Sequence, residues 1–144
     1  MLYATSITLA ALMMTPVSPC GEACSREAVV LYGNLLAGAQ FGRKGTVERA
    51  AFVILRDGAL RMVPWQSGGD RHASFKGSIP EDCIAIAHTH PETAMDPSRV
   101  DVALAQRLGL RVLVITPRVL SIAETDGTTR RVFQQVGWWL KSTR

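Results

Sequence analysis

His88 and His90 stand one residue apart near the middle of the chain, directly after the apolar run 84–87. That run predicts a short buried strand, and side chains at positions i and i+2 of a strand point to the same face. Both imidazoles are therefore expected to converge on one point. Neutral imidazole nitrogens that converge in this way are good ligands for a zinc ion.

A hydroxyl and a carboxylate follow the second histidine: seven residues separate His90 from Ser98, and Asp101 comes three positions later. Pro91 ends the strand, and Ser98 begins a predicted helix in which Asp101 lies three residues further on, on the same helical face. The strand end and the helix start can thus offer two nitrogens, a carboxylate and a hydroxyl to one point. Three protein ligands, His88, His90 and Asp101, with a fourth position open to water form the pattern of a catalytic zinc site.

The pair Ser98 and Asp101 also has a purely structural interpretation. A serine at the N-cap with an acidic residue at the third helical position forms a capping box. The two interpretations are compatible, because one helix start can hold both roles. A single histidine at a strand end is more often a hydrogen-bonded structural residue, whereas the pair followed by an aspartate favours a metal site.

The spacing H-x-H-P, then S-x-x-D, resembles the JAMM (MPN+) metalloprotease signature at each fixed position. The resemblance extends more loosely over roughly residues 45–117, as hairpin, strand, loop, helix and strand. It implies an α/β fold for residues 24–144, a single-domain MPN-like (cytidine-deaminase-like) mixed sheet flanked by helices. It also implies Zn²⁺ as the cofactor.

The resemblance further expects a glutamate at the start of a strand some tens of residues before the histidines. Glu48 fits, because it stands just before the apolar run 51–55 and forty positions ahead of His88. The family usually has glycine three positions after this glutamate, where this chain has Ala51. The structural alternative is an exposed charge at a strand edge. Three other glutamates compete for the role: Glu22, Glu27 and Glu92.

The expected roles follow from the chemistry of amide hydrolysis. A zinc ion lowers the pKa of a bound water and polarises a carbonyl group. Glu48, outside the metal shell, is expected to be the general base and then the acid for the leaving amine. The Ser98 hydroxyl is expected to donate to the oxyanion. The family assigns the same roles, which implies a zinc-dependent peptidase or isopeptidase. The alternative is a non-catalytic MPN-like binding or scaffold module.

The composition narrows the classes of protein and partner. The chain has 144 residues, of which 47% are hydrophobic and 19% charged, so we expect one folded domain with a real core. The net charge is +4, but no basic run interleaved with aromatic residues occurs, which argues against nucleic-acid binding. We expect a peptide or protein substrate, and the sequence leaves the oligomeric state open.

Residues 1–23 have the pattern of a signal peptide. The apolar segment 7–14 is too short for a membrane span, and small residues at Gly21 and Ala23 predict cleavage before Cys24. No lysine or arginine precedes the apolar segment. We expect an exported protein, periplasmic or secreted, without a stable membrane span. The alternatives are a cytoplasmic protein and an N-terminal strand or helix packed on the domain.

The three cysteines, Cys20, Cys24 and Cys83, bear on the same question. Cleavage before Cys24 would leave Cys24 and Cys83. In an oxidising compartment these two are expected to form one disulfide, whereas in the cytoplasm they would be buried free thiols.

Periodicity predicts the elements around the site. Helical spacing indicates a helix from Ser25 to Phe41. An apolar run, the turn Asp57-Gly58 and a second apolar run at 60–63 predict a β-hairpin. A long loop is expected at 65–80; it contains His72 and could line a substrate groove.

The second half of the chain is predicted in the same way. The helix that begins at Ser98 is expected to end near Leu108. A buried strand follows at 112–115, and a second hairpin is expected over 121–133. The tail contains the pair Trp138-Trp139, which is expected to dock on the core as a short helix or strand.

Overall fold

The computed structural model describes residues 20–39, 47–67, 73–75 and 77–140. Within these ranges a 3-10 turn, Gly21–Cys24, precedes two α-helices, α1 (Arg26–Gly38) and α2 (Arg99–Leu108). The strands are β1 (Ala50–Arg56), β2 (Ala59–Pro64), β3 (Gln66–Ser67), β4 (Ala73–Ser74), β5 (Cys83–Thr89), β6 (Arg111–Ile115), β7 (Val119–Ala123) and β8 (Thr129–Gln134).

Six strands form one mixed sheet in the order β2-β1-β5-β6-β7-β8. The pair β5–β6 is parallel, and the other neighbouring pairs of this sheet are antiparallel. A parallel pair needs a crossover connection, and α2 supplies it. This architecture confirms the predicted fold class, an α/β fold with a mixed sheet flanked by helices.

The two faces of the sheet bury different sets of side chains, because residues alternate between faces along each strand. On one face, the α1 face, Tyr32 and Leu36 pack with strand residues such as Leu113. On the other, the α2 face, Ala105 packs with strand residues such as Ile86. His88 lies two residues after Ile86 and so also projects from the α2 face.

Helix α1 begins as predicted and ends earlier than predicted. The Ser25 side chain caps it by accepting a hydrogen bond from the Ala28 amide at 3.2 Å. The last helical residue is Gly38, the Ala39 carbonyl accepts from the Val47 amide at 3.3 Å, and the predicted end at Phe41 lies outside the described residues. This hydrogen bond joins the end of α1 to the segment that leads into β1.

The first hairpin has the predicted turn. Asp57 and Gly58 have φ angles of 51° and 74°, and two residues in the left-handed region favour a tight turn between twisted strands. The region predicted as a long loop, 65–80, instead contains the two-stranded pair of β3 and β4. His72 lies outside the described residues.

The predicted pairing of Cys24 with Cys83 is wrong. Cys24 is bonded to Cys20, one helical turn earlier, and Cys83 is a free thiol. The reason is the sheet itself, because Cys24 packs on the α1 face and Cys83 on the α2 face.

Residues 20–23, which the signal-peptide prediction assigns to the removed segment, pack on the domain. Cys20 and Ala23 are 2% and 3% exposed. The Tyr32 hydroxyl donates to the Ala23 carbonyl, and the Arg111 guanidinium donates to the Cys20 carbonyl at 2.9 Å. The earlier part of the predicted signal peptide, 1–19, lies outside the described residues.

The second half of the chain follows the prediction closely. Helix α2 ends at Leu108 as predicted, and Gly109 caps it in the left-handed conformation, with a φ of 63°. Strands β7 and β8 form the second hairpin. The tail is a turn in which Trp138 is buried on the α1 face and donates to the Thr116 carbonyl at 2.9 Å. None of the described helices is long and apolar enough to cross a bilayer.

Candidate metal centre

Strand β5 carries both histidines to its carboxyl end. His88 sits in the middle of the sheet, between Ala50 of β1 and Val114 of β6. His90 follows the last strand residue and is held by its amide, which donates to the Ile115 carbonyl at 3.1 Å. The two rings lie 4.6 Å apart between centroids, nearly perpendicular to each other. The structure therefore brings the two predicted histidine ligands together.

The start of α2 brings the carboxylate to the same place. Oδ1 of Asp101 lies 2.9 Å from Nε2 of His88, and Oδ2 lies 3.4 Å from Nε2 of His90. The capping box is also present: Oδ2 of Asp101 accepts from the Ser98 amide at 2.7 Å, and the Ser98 hydroxyl accepts from the Asp101 amide at 3.2 Å. The Asp101 carboxylate therefore caps the helix and also faces both histidines.

Hydrogen bonds at the outer nitrogens orient the rings of both histidines. Nδ1 of His90 lies 2.9 Å from the Ala94 carbonyl, which can only accept, so this nitrogen carries the proton. Nδ1 of His88 lies 3.1 Å from a carboxylate oxygen of Glu48, Oε1. With both Nδ1 atoms hydrogen-bonded outwards, both Nε2 atoms face Asp101. A partner that fixes the ring in this way is the usual second layer of a metal site.

The donor set fits a metal ion on two grounds. First, the three ligand atoms of His88, His90 and Asp101 lie within 4.8 Å of one another. Ligands on a tetrahedral zinc at bond lengths of about 2.0–2.1 Å are separated by about 3.3 Å. Second, the buried Nε2 of His88 makes no hydrogen bond within the described structure, because its approach to the aspartate lacks hydrogen-bond geometry. A buried nitrogen without a partner is costly, and a cation would satisfy it.

The electrostatics of the site favour positive charge. Burial lowers the pKa of His88, but the carboxylates of Asp101 and Glu48 raise it more, to about 9. Burial raises the pKa of Asp101, but His88 and the Ser98 hydrogen bonds lower it more, to about 2. The pKa of His90 is lowered by burial and by its neighbour His88. Two carboxylates around a desolvated imidazole thus make a pocket that is suited to a cation.

Glu48 is the glutamate that the fold brings to the site. The antiparallel pairing of β1 with β5 sets it beside His88, and the adjacent pair Arg49 and Thr89 exchanges two hydrogen bonds at 2.8 and 3.0 Å. The alternatives lie elsewhere: Glu22 in the 3-10 turn, Glu27 in the first turn of α1 and Glu92 in the loop after the histidines.

The contact of Glu48 with His88 was not predicted from the sequence. Its side chain is 28% exposed and lines the cavity, which is compatible with the expected role as a base. One of its oxygens, however, also orients a histidine. The contact arises because β1 pairs with β5, which is distant in sequence. The alternating side-chain directions along the two predicted strands were the signal that could have indicated it.

Two residues of the loop between the histidines and α2 are hydrogen-bonded to the sheet. The Ser121 hydroxyl donates to the Met95 carbonyl at 2.7 Å. The Arg131 guanidinium makes two hydrogen bonds of 2.8 Å with the carboxylate of Asp96, a bidentate geometry that is specific in direction. The loop that connects the ligands is thus fixed to β7 and β8.

The ligands line a cavity of about 420 Å³ on the α2 face. Ser98 is among its lining residues, and a hydroxyl that accepts a hydrogen bond still has its own proton to donate. Among the apolar residues of the wall, Trp65 begins the segment 65–80 that was expected to line a substrate groove, whereas Val100 and Leu104 were not predicted. Leu104 could have been found, because it lies at i+3 from Asp101 and so on the same helical face.

Comparison with known proteins agrees with this geometry. The family of prokaryotic homologs of the JAB domain matches residues 33–134. The match includes the six strands of the sheet, α2 and the site residues. Among curated proteins, none matches the chain significantly.

Proposed function

Because the chain belongs to the prokaryotic homologs of the JAB domain, we propose that it is a zinc-dependent metallohydrolase that cleaves an amide bond, as a peptidase or isopeptidase. Membership confirms the predicted JAMM/MPN resemblance. The observation that carries the proposal is the convergence of His88, His90 and Asp101, with both Nε2 atoms turned inwards.

The metal ion would be held by these three side chains. Zinc bound there would supply a Lewis acid for the carbonyl and a water of lowered pKa. The remaining chemistry falls to residues of the chain.

Glu48 is suited to move the proton. One of its oxygens accepts from Nδ1 of His88, and the side chain lines the cavity, where the second oxygen would act. That oxygen would take a proton from the attacking water and deliver it to the leaving amine nitrogen. A carboxylate that is held in one orientation performs both transfers without rearrangement.

Ser98 is suited to stabilise the negative oxygen of the tetrahedral intermediate. Its hydroxyl oxygen is fixed by the Asp101 amide, so its proton can point into the cavity. A donor that is positioned before the reaction needs no reorganisation as charge develops.

The first experiment measures the metal. Purified protein should contain about one zinc ion per chain by elemental analysis, because the three candidate ligands form a single site. His88→Ala should lose it, since this change removes a ligand. Wild-type protein that contains no metal and takes up none on reconstitution would exclude the hydrolase and favour the alternative, a non-catalytic binding or scaffold module.

The second experiment separates catalysis from metal binding. Glu48→Gln keeps an oxygen that can accept from His88 but removes the base. Zinc content should be unchanged, while turnover of a cleavable peptide should fall by about two to four powers of ten. Glu92→Gln, on an exposed loop residue, is the matched control and should leave turnover unchanged. Full turnover in Glu48→Gln would refute the role.

We also propose that the protein is exported. The signal-like composition of the first residues supports export, and so does the Cys20–Cys24 disulfide, because disulfides persist in oxidising compartments. Cleavage before Cys24, as predicted from the sequence, would remove Cys20 and its buried contacts, so we propose processing before Cys20 instead. Mass spectrometry of protein from its own host should find this N-terminus and the disulfide. An intact Met1 with three free thiols would indicate the cytoplasm.

A further inference from the structure

A second cavity, of about 340 Å³, adjoins the metal cavity on the α2 face. Trp65 and Leu104 line both cavities, so the two share a wall. The Trp65 backbone is fixed to that wall, because its amide donates to the Ala50 carbonyl at 2.8 Å. A group bound in the second cavity would therefore lie next to a group bound at the metal site.

The walls of this second cavity are preformed and aromatic. Phe52, Trp65 and Phe75 contact one another, with ring centroids 4.5, 5.2 and 5.7 Å apart. Phe52 is 1% exposed and forms part of the core. Such tilted and edge-to-face contacts hold rings in place, so the cavity does not depend on a ligand for its shape. Its volume is within the range of small-ligand pockets, about 300–1,000 Å³.

Helix α2 links the metal site to the far end of this cavity. Asp101, Leu104 and Leu108 follow one another at i, i+3 and i+7, on one helical face. The helical rise from Asp101 to Leu108 is about 10 Å. An extended peptide advances about 3.3–3.6 Å per residue. A peptide that lies along α2 with its scissile bond at the metal site therefore reaches Arg107 and Leu108 in about three residues.

Two polar groups at this cavity are without a partner within the described ranges of the chain. Nε1 of Trp65 is buried and makes no hydrogen bond. Arg107 lines the cavity and has neither an ion pair nor a side-chain hydrogen bond there. The other lining residues include no acidic side chain. The cavity thus combines an apolar interior with an unpaired N–H donor and an unpaired cation.

Resting on the proposed function, we propose that this cavity, which we call the Trp65 pocket, is the specificity subsite of the hydrolase. It takes a large apolar side chain of the peptide substrate, and Nε1 of Trp65 donates to a backbone carbonyl of the peptide. Arg107 pairs with a substrate carboxylate further from the scissile bond. That carboxylate is either the C-terminus of the substrate or an acidic side chain.

The first test is binding to the zinc-loaded protein, measured by calorimetry with three small probes. N-acetyl-L-phenylalanine offers a ring and a carboxylate, its amide offers the ring alone, and N-acetylglycine offers the carboxylate alone. The acid should bind about three- to tenfold more tightly than the amide, because of the ion pair. N-acetylglycine should bind at least about tenfold more weakly than the acid, because the ring supplies the apolar burial. It also reports any binding of a carboxylate to zinc itself.

Two variants assign these effects to residues. Arg107→Gln should remove the difference between acid and amide, and Trp65→Phe, which keeps a ring but loses the donor, should weaken both probes by about threefold or more. Arg99→Gln is the matched control, because Arg99 is an exposed arginine of the same helix that lines neither cavity. It should change nothing. Equal binding of the acid by wild type and Arg107→Gln, or of N-acetylglycine and the acid by wild type, would overturn the proposal.

The second test is turnover, and it distinguishes the source of the carboxylate. Matched peptides would carry phenylalanine near the scissile bond with either a free C-terminus or an amidated C-terminus preceded by glutamate. The preferred peptide should show a KM that rises about three- to tenfold in Arg107→Gln, with kcat unchanged, because the contact is remote from the reacting atoms.

The two proposals fail in different ways. Cleavage of peptides without preference for an apolar side chain would overturn the Trp65 pocket and leave the hydrolase standing. Probe binding that depends on Arg107, in a zinc-loaded protein that cleaves no peptide, would support the pocket and count against the hydrolase.

Discussion

The two α-helices begin with the same residue in the same role, yet one start is part of the core and the other is part of the candidate site. Ser25 caps α1 and Ser98 caps α2, and each hydroxyl accepts at 3.2 Å from the amide three residues later. The difference lies in that third residue. In α1 it is Ala28, fully buried on the α1 face, and in α2 it is Asp101, buried against the histidines.

The comparison shows how an ordinary capping box can orient a ligand. In α2 the carboxylate of Asp101 divides its two oxygens, since Oδ2 accepts from the Ser98 amide while Oδ1 faces Nε2 of His88. The helix start thus fixes the orientation of the carboxylate before any ion arrives. In α1 the serine cap accepts from a backbone amide and orients no carboxylate.

Among changes at the two helix starts, Asp101→Asn should have the largest effect. Asparagine keeps the size of the side chain and an oxygen that can accept from the Ser98 amide, but it removes the negative charge from the metal site. We expect zinc content to fall to near zero and turnover to background, because an uncharged amide is a poor ligand for zinc. Elemental analysis and a peptide assay measure both. Retention of about one zinc per chain would show that this residue only caps the helix.

Ser98→Ala should have a smaller effect, and one that divides between stability and catalysis. Loss of the cap should lower the free energy of unfolding by about 1 kcal/mol, measured by urea denaturation. Turnover should fall by about two to three powers of ten if the hydroxyl stabilises the oxyanion, with zinc retained. Ser98→Thr, which keeps a hydroxyl, is the control and should restore most of both. A stability loss without any change in turnover would leave Ser98 as a cap alone.

Ser25→Ala should have the smallest effect, confined to stability. The free energy of unfolding should again fall by about 1 kcal/mol, because the cap of α1 is lost. Zinc content and turnover should not change, since α1 lies on the opposite face from the site. Ser25→Asp retains a capping oxygen and should remain close to wild type in urea denaturation. A loss of zinc in Ser25→Ala would mean that the two helix starts are not independent.

Local sequence signals were sufficient for most of the candidate site. The spacing of His88, His90 and Asp101 predicted a convergence that the structure contains, because strand and helix periodicity place side chains on known faces. The cap at Ser98 and the helix end at Gly109 were predictable for the same reason. These features depend on residues that are close in sequence.

The features that could not be predicted depend on residues that are distant in sequence. The pairing of Cys24 was mistaken because the predicted cleavage removed its neighbour Cys20, and because nothing local shows that Cys83 lies on the other face of the sheet. The contact between Glu48 and His88 follows from the register of β1 against β5. The cavity wall that Trp65 forms with Leu104 likewise brings together residues that are distant in sequence. Each of these needs the completed sheet before it can be seen.

The fixed loop between the histidines and α2 has a consequence for the entropy of metal binding. Hydrogen bonds from Ser121 to Met95 and from Arg131 to Asp96 fix the loop on the sheet, between the histidines and Asp101. The entropy cost of closing this loop is therefore incurred when the sheet forms, not when the ion binds. In small zinc domains, by contrast, metal binding and folding are one transition. At the proposed site the fold should not depend on the ion, so a chelator should empty the site and leave the chain folded.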